Sequence, residues 1–158
     1  PNKIVYINSD VLNDKYEYVK DLVSAAQAKQ SKLESAYREK GQKFQADLAE
    51  YQQQADQGLL SENERNVKEE DFRKRKAELD GMEEQNNALM DQIQKDNESV
   101  KKTVIDYIKE YNKNSKYNYI LTYTDGPGGI VLLANDSLDI TSEIVDGLNA
   151  QYRASKKK

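Results

Sequence analysis

Apolar residues recur at helical spacing along residues 12–114, a stretch with no proline and three glycines. In its first half, Leu22, Ala26, Leu33, Tyr37, Phe44, Leu48, Ala55 and Leu59 step alternately by four and seven. That is an 11-residue repeat, which predicts a helix with a straight to slightly right-handed supercoil. In the second half, Phe72, Leu79, Asn86, Ile93, Val100 and Tyr107 step by seven, with Met82, Leu89 and Val104 between them. This is the left-handed heptad pattern. Seams of unequal period drift out of register, so imperfect packing is expected, worsened by Arg75 and Asn86. Between the halves, Gly58 can take the left-handed conformation that ends a helix, and Ser61-Glu62-Asn63-Glu64 reads as a capping box that starts the next one. The pattern predicts an antiparallel helical hairpin with its tip near 58–61. At ~1.5 Å per residue, its first helix would reach roughly 70 Å.

The period changes at both ends. Residues 3–8 form a β-branched and aromatic run that reads as a buried strand, and Ser9-Asp10 supply an N-cap oxygen and a charge for the helix that follows. Residues 117–123 read as a second strand, 125–129 as a glycine-rich loop, and 130–134 as the partner strand of a β-hairpin. Thr141 is a plausible N-cap for a last amphipathic helix carrying Ile144, Leu148 and Tyr152. The expected fold class is α+β. A small, oligomerising β body from residues 1–11 and 115–158 would hold a long antiparallel coiled-coil arm over 12–114. Open sheet edges invite self-association, so Ile4, Tyr6, Ile130 and Leu132 are candidate residues of an interface between copies.

Composition narrows the chemistry. One third of the 158 residues are charged, the net charge is -4 and the mean hydropathy is -0.98. Such a chain is too polar for one large core, yet its periodicity argues for long helices rather than disorder. With neither Cys nor His, it cannot build a Cys/His zinc site, a cysteine nucleophile or a Ser-His-Asp triad, and no cofactor, metal or enzymatic activity is expected. Its negative balance argues against nucleic acid as a partner. The run Gly126-Pro127-Gly128-Gly129 lacks the Gly-Lys-Ser/Thr of a phosphate loop. No apolar run approaches the ~18 to 20 residues needed to span a bilayer. The first residue is Pro1 rather than Met, so any export signal is expected to lie outside this sequence.

Projecting helices with scattered apolar groups suit gripping better than catalysis. Tyr37, Phe44, Leu48, Tyr51, Phe72, Leu79 and Met82 are candidates for a distal apolar surface. More often than not, residues placed like Phe44, Leu48, Phe72 and Leu79 are simply the seam between two helices. Tyr37 and Tyr51 suit contact with a partner, because tyrosine offers a flat apolar face and a hydroxyl that tolerates water. Gly41 and Gly81 lie at comparable distances from the turn and would form a hinge or simply ease close helix contact. Arg73-Lys74-Arg75-Lys76 would meet an anionic partner or, with Glu69, Glu70, Asp71 and Glu78 nearby, make an ion-paired solvated face.

The order strand, long helical hairpin, β-hairpin and C-terminal helix resembles the Skp/OmpH family over essentially the whole chain. Ile4-Val5-Tyr6-Ile7-Asn8-Ser9-Asp10 at the front carries the likeness, with Tyr119-Ile120-Leu121-Thr122-Tyr123 and Ala134-Asn135-Asp136-Ser137-Leu138-Asp139-Ile140-Thr141 at the back. Members are periplasmic chaperones of Gram-negative bacteria that hold unfolded outer-membrane proteins between the arms of a trimer. The resemblance implies an ATP-independent, homotrimeric periplasmic holdase. The best-known members are strongly basic, whereas the isoelectric point here is near 5.1. Weak contact with a membrane surface or lipopolysaccharide is left open, with no residue assigned to it. On the residues alone, a coiled-coil adaptor joining folded partners and a prefoldin-like cytosolic holdase remain alternatives.

Overall fold

The computed structural model describes residues 3–158; the first two positions of the expected 1–11 segment lie outside the described residues. The elements run β1 (Ile4–Asn8), α1 (Ser9–Lys15), α2 (Glu17–Asp56), α3 (Glu62–Tyr111), β2 (Tyr119–Tyr123), a 3₁₀ turn (Asp136–Leu138) and α4 (Thr141–Ser155). Two compact units result. One combines residues 3–25 with residues 95–158, and the other is residues 26–94.

In the first unit, β1 and β2 pair in parallel, with Ile4 opposite Tyr119 and Asn8 opposite Tyr123. A parallel pair needs a long crossover connection, which the helical hairpin supplies. The expected β-hairpin between 117–123 and 130–134 does not form: the strand paired with β2 is β1, and residues 130–134 belong to no strand. Gly128, at φ +104°, takes a backbone conformation in the loop after β2 that favours glycine. The other edge of β1 is met by the segment entering α4, where the Ile140 amide donates to the Tyr6 carbonyl at 3.0 Å.

The helix after β1 is capped one residue earlier than expected. The Asn8 side chain, rather than Ser9 or Asp10, accepts from the amides of Asp10 and Val11 at 3.0 and 3.1 Å. Nor is the first helix continuous. It breaks at Tyr16, which takes an extended backbone (φ -76°, ψ 111°) although neither glycine nor proline is present. The break is held from across the unit. The Asn149 carbonyl oxygen accepts from the Glu17 amide at 2.8 Å, and its amide donates to the Lys15 carbonyl at 3.1 Å. With those groups satisfied, Tyr16 can leave the helix and enter the core.

That core gathers Val5, Ile7, Leu12 and Tyr16 with Ile140, Ile144, Val145 and Leu148, flanked by Val100, Val104, Tyr107 and Ile108 from the end of α3. Ile144 and Leu148 are wholly enclosed. At the start of α4, the Thr141 hydroxyl accepts from the Asn8 amide at 2.8 Å, and the Asp139 carboxylate accepts from the Thr141 amide at 2.8 Å. Asp139 thus does the capping expected of Thr141. Outside the core, α4 is clasped to the start of α2. Arg153 forks onto Glu17, and Asp21 accepts from the Tyr152 hydroxyl at 2.9 Å and pairs with Lys156. These partners hold both carboxyls below their ordinary range, Glu17 chiefly through Arg153 and Asp21 chiefly through Lys156.

At Gly147, α4 packs directly against the Tyr107 ring of α3. A Cβ placed there would lie 1.6 Å from the Tyr107 hydroxyl and 2.5 Å from its ring carbon, so the whole ring would have to move. Gly147→Ala is expected to cost about 1 to 3 kcal/mol, the usual cost of forcing atoms into a filled core. Urea unfolding checks this, and adding Tyr107→Leu should recover part of the loss.

Candidate functional site

The unit formed by residues 26–94 is a helical hairpin whose turn is made as its sequence suggests. Gly58 sits at φ +67°. The Leu59 amide reaches back to the Gln54 carbonyl and the Gly58 amide to Ala55, each at 3.0 Å, closing a Schellman ending. Ser61 and Glu64 then exchange the two bonds of a capping box, at 2.8 and 3.2 Å. Cross-links run antiparallel down the pair. Tyr51 donates to Glu69 at 2.6 Å, Asp47 meets Arg75 at 2.9 Å, and Lys40 pairs with Glu78.

Aromatic residues fill the seam near the turn. Phe44 meets Phe72 edge to face at 5.8 Å, and Tyr51 packs on Phe72 at 5.4 Å. Arg75, expected to disturb the seam, instead caps it. Its guanidinium lies 5.6 and 5.7 Å from the centres of the two phenyl rings, with Asp47 and Asp71 at its edge. A flat cation over aromatic faces suits such a half-buried position. The hydrogen bond to Glu69 pushes the Tyr51 phenol above its ordinary range.

Farther from the turn the seam is loosely filled. An open cleft of about 850 Å³ lies beside Gly41, walled by Tyr37, Phe44 and Leu79 with Arg38 and Lys76. A second, of about 280 Å³, opens between Tyr37, Leu33, Met82 and Asn86, and a third, of about 340 Å³, between Ala36, Leu33, Met82 and Leu89. Met82, packed at the centre of this region, is buried.

The candidate residues divide by exposure. Tyr37 stands half in water at 48% exposure, whereas Phe44, Leu48, Phe72 and Leu79 are half-buried along the seam, as is Tyr51. Two apolar residues lie outside the seam pattern and are passed over by it, Val67 and Met90, exposed by 63% and 42%, whereas Leu59, the last position of the first repeat, stands 66% exposed in the turn. The offset of Val67 and Met90 from the repeat is the signal that could have found them. Beyond the local backbone of its own helix, no atom lies within 4 Å of a Cβ built at Gly41 or Gly81, so neither glycine is required by close helix contact. The basic run is partly neutralised, with Arg73 on Glu70 at 2.8 Å and Arg75 on Asp47.

In the first unit, the interface candidates fall into two groups. Tyr6 is buried against Tyr123, ring centres 5.5 Å apart, and Ile4 is partly exposed. Ile130 and Leu132 are almost bare, as is Leu133 beside them. Among the described residues there is no cluster of His, Cys, Asp and Glu that could hold a metal ion, and no helix is long and apolar enough to cross a membrane.

The sequence matches the family model described as outer membrane protein (OmpH-like) over residues 3–148. Among solved structures, a candidate outer membrane chaperone (OmpH-like) from Caulobacter crescentus superposes with a TM-score of 0.65 at 13% identity, covering 96% of this chain and 86% of that one. At that identity the likeness is one of fold. No curated protein sequence matches significantly.

Proposed function

The chain belongs to the OmpH-like family of outer membrane proteins, and we propose that it is an ATP-independent periplasmic holdase, a homotrimer whose helical arms enclose unfolded outer-membrane proteins and keep them from aggregating. The observation that carries this reading is the surface of residues 26–94. Tyr37, Val67 and Met90 on the helices and Leu59 in the turn are exposed one at a time among many charged and polar residues. Scattered apolar groups give many weak contacts and no fixed pocket, which suits a client of no defined shape. Affinity then comes from several contacts acting at high effective concentration, and a client so held leaves without nucleotide hydrolysis. Tyr37, Phe44, Leu48, Tyr51, Phe72 and Met82 are the proposed contact residues. Tyr37 and Tyr51 make the first contacts, and the seam residues become available where the hairpin loosens around its clefts.

The test is light scattering on the size-separated protein, alone and after a urea-unfolded outer-membrane barrel protein is diluted into it. The expected result is a trimer that keeps the client soluble in a defined complex. A monomer or dimer that lets the client aggregate would move the weight to a coiled-coil adaptor.

Gly41 and Gly81 are the proposed hinge that lets the arms admit clients of different size. Alanine fits at both positions without a clash and favours helix by roughly 1 kcal/mol per site. Spin labels at the arm tips should therefore show a narrower distance distribution in the Gly41→Ala, Gly81→Ala double variant. An unchanged distribution would sink the hinge.

A further inference from the structure

Sulfur in this chain is confined to two side chains. With no cysteine present, the thioethers of Met82 and Met90 are its most readily oxidised groups. Both lie on α3 within residues 26–94, and their surroundings differ. Met90 is 42% exposed, so an oxygen added to its sulfur stays in water and alters little. Met82 is the one buried residue among those of 26–94, yet it is not sealed. It lines the cleft of about 280 Å³ with Leu33, Tyr37 and Asn86, and the cleft of about 340 Å³ with Leu33, Ala36 and Leu89. Each cleft is several times the ~30 Å³ that a water molecule takes up in the liquid, so a small hydroperoxide fits within reach of the sulfur from either side.

We infer that Met82 is an oxidation site for hydroperoxides and that its sulfoxide opens the seam between α2 and α3. With hydrogen peroxide, a sulfur lone pair attacks one peroxide oxygen, and the S–O bond forms as the O–O bond breaks. The other oxygen leaves as hydroxide and takes the proton of the first to become water, so the sulfur is oxidised and the peroxide reduced. The product is a polar group that seeks a hydrogen bond. Leu33, Ala36 and Leu89 offer it no side-chain donor, and burying such a group without a partner is costly. Water, the Asn86 amide or the Tyr37 hydroxyl can satisfy it only if it turns out into the other cleft, which withdraws Met82 from the seam it fills. On either route the seam loses its one buried side chain, and Leu33 and Leu89 become available to a client; this last step rests on the holdase reading above. Methionine sulfoxide reductases, one for each epimer, return the sulfoxide to the thioether, so the change is reversible.

Met90→Leu leaves Met82 as the only methionine of the chain and is the variant to treat. After hydrogen peroxide is added to the folded protein, peptide mass spectrometry should place an added oxygen on Met82. Amide hydrogen exchange across 79–89 should then quicken on the order of 10- to 100-fold, as expected when an unpartnered polar group enters an apolar seam, and reductase treatment should restore the original rates. In the same background, Met82→Gln should quicken those amides without oxidant, and Met82→Leu, which keeps the seam apolar at similar volume, should stay slow after peroxide. A Met82 that takes up oxygen only when urea unfolds the chain would overturn the inference, as would oxidation with exchange unchanged. Client holding is read separately, by light scattering with the unfolded barrel protein, and should strengthen after peroxide. Holding that is unchanged while exchange quickens would overturn the client step alone. A chain that never holds the client, although its exchange quickens, would overturn the holdase reading and support the oxidation site.

Discussion

Leu148→Ala will destabilise the folded chain by about 2 to 5 kcal/mol, the range for removing an enclosed leucine side chain and leaving a cavity. Leu148 is fully enclosed, as is Ile144 one turn earlier, and both lie against Tyr16, Val5 and Ile7. Those neighbours come from a strand, a helix break and α4, and each is fixed by its own hydrogen bonds, so the site can collapse little around the gap. The effect should appear as a fall of about 1 to 3 M in the urea midpoint, given slopes of ~1 to 3 kcal/mol per molar for small proteins. Protein concentration must be held constant, because assembly adds to apparent stability. Leu48→Ala provides the contrast. Leu48 is only half-buried along the seam, and its loss should cost about 1 kcal/mol or less, since most of the side chain's transfer free energy is not realised there. Equal costs at the two sites would refute the view that the body carries the stability and the hairpin is loosely held.

That contrast also separates what the residues disclosed from what they hid. The hairpin, its glycine turn, the capping box and the enclosed face of α4 follow from local rules: a period, a left-handed glycine, an S-x-x-E spacing. Each is decided within a few residues. The pairing of β2 is not legible, because nothing within 117–134 states that a strand more than a hundred residues upstream is its partner. The uncharged run at 130–134 has strand composition in either case, and only the whole fold shows that it is bare. Arg75 was misjudged for a related reason. A charge on a seam reads as a defect until two phenyl rings and two carboxylates are seen around it. For the candidate surface, the repeat marked the seam residues and so passed over Val67 and Met90, which lie off it, while Leu59 belongs to the repeat but is exposed because the helix ends at Asp56, before it.

The least legible residue is Asn149, a polar side chain on the buried face of α4, and its replacement should be among the most damaging. Asn149→Ala removes one acceptor and one donor at once. The Glu17 amide and the Lys15 carbonyl, bonded at 2.8 and 3.1 Å, would be left without partners at the helix break. Each partly buried backbone group so stranded costs about 1 to 3 kcal/mol, so a total of roughly 2 to 5 kcal/mol is expected. The alternative open to the chain is to heal the break and run α1 into α2, which would satisfy both groups but swing Tyr16, now 2% exposed, out of the core. Either route is costly, and hydrogen exchange tells them apart. Faster exchange at the Glu17 amide would mean that the break persists unsupported. Slower exchange there, with Tyr16 newly accessible to solvent, would mean that the helix has closed. An Asn149→Ala variant as stable as the parent, with exchange at Glu17 unchanged, would show that the break is held by the burial of Tyr16 alone.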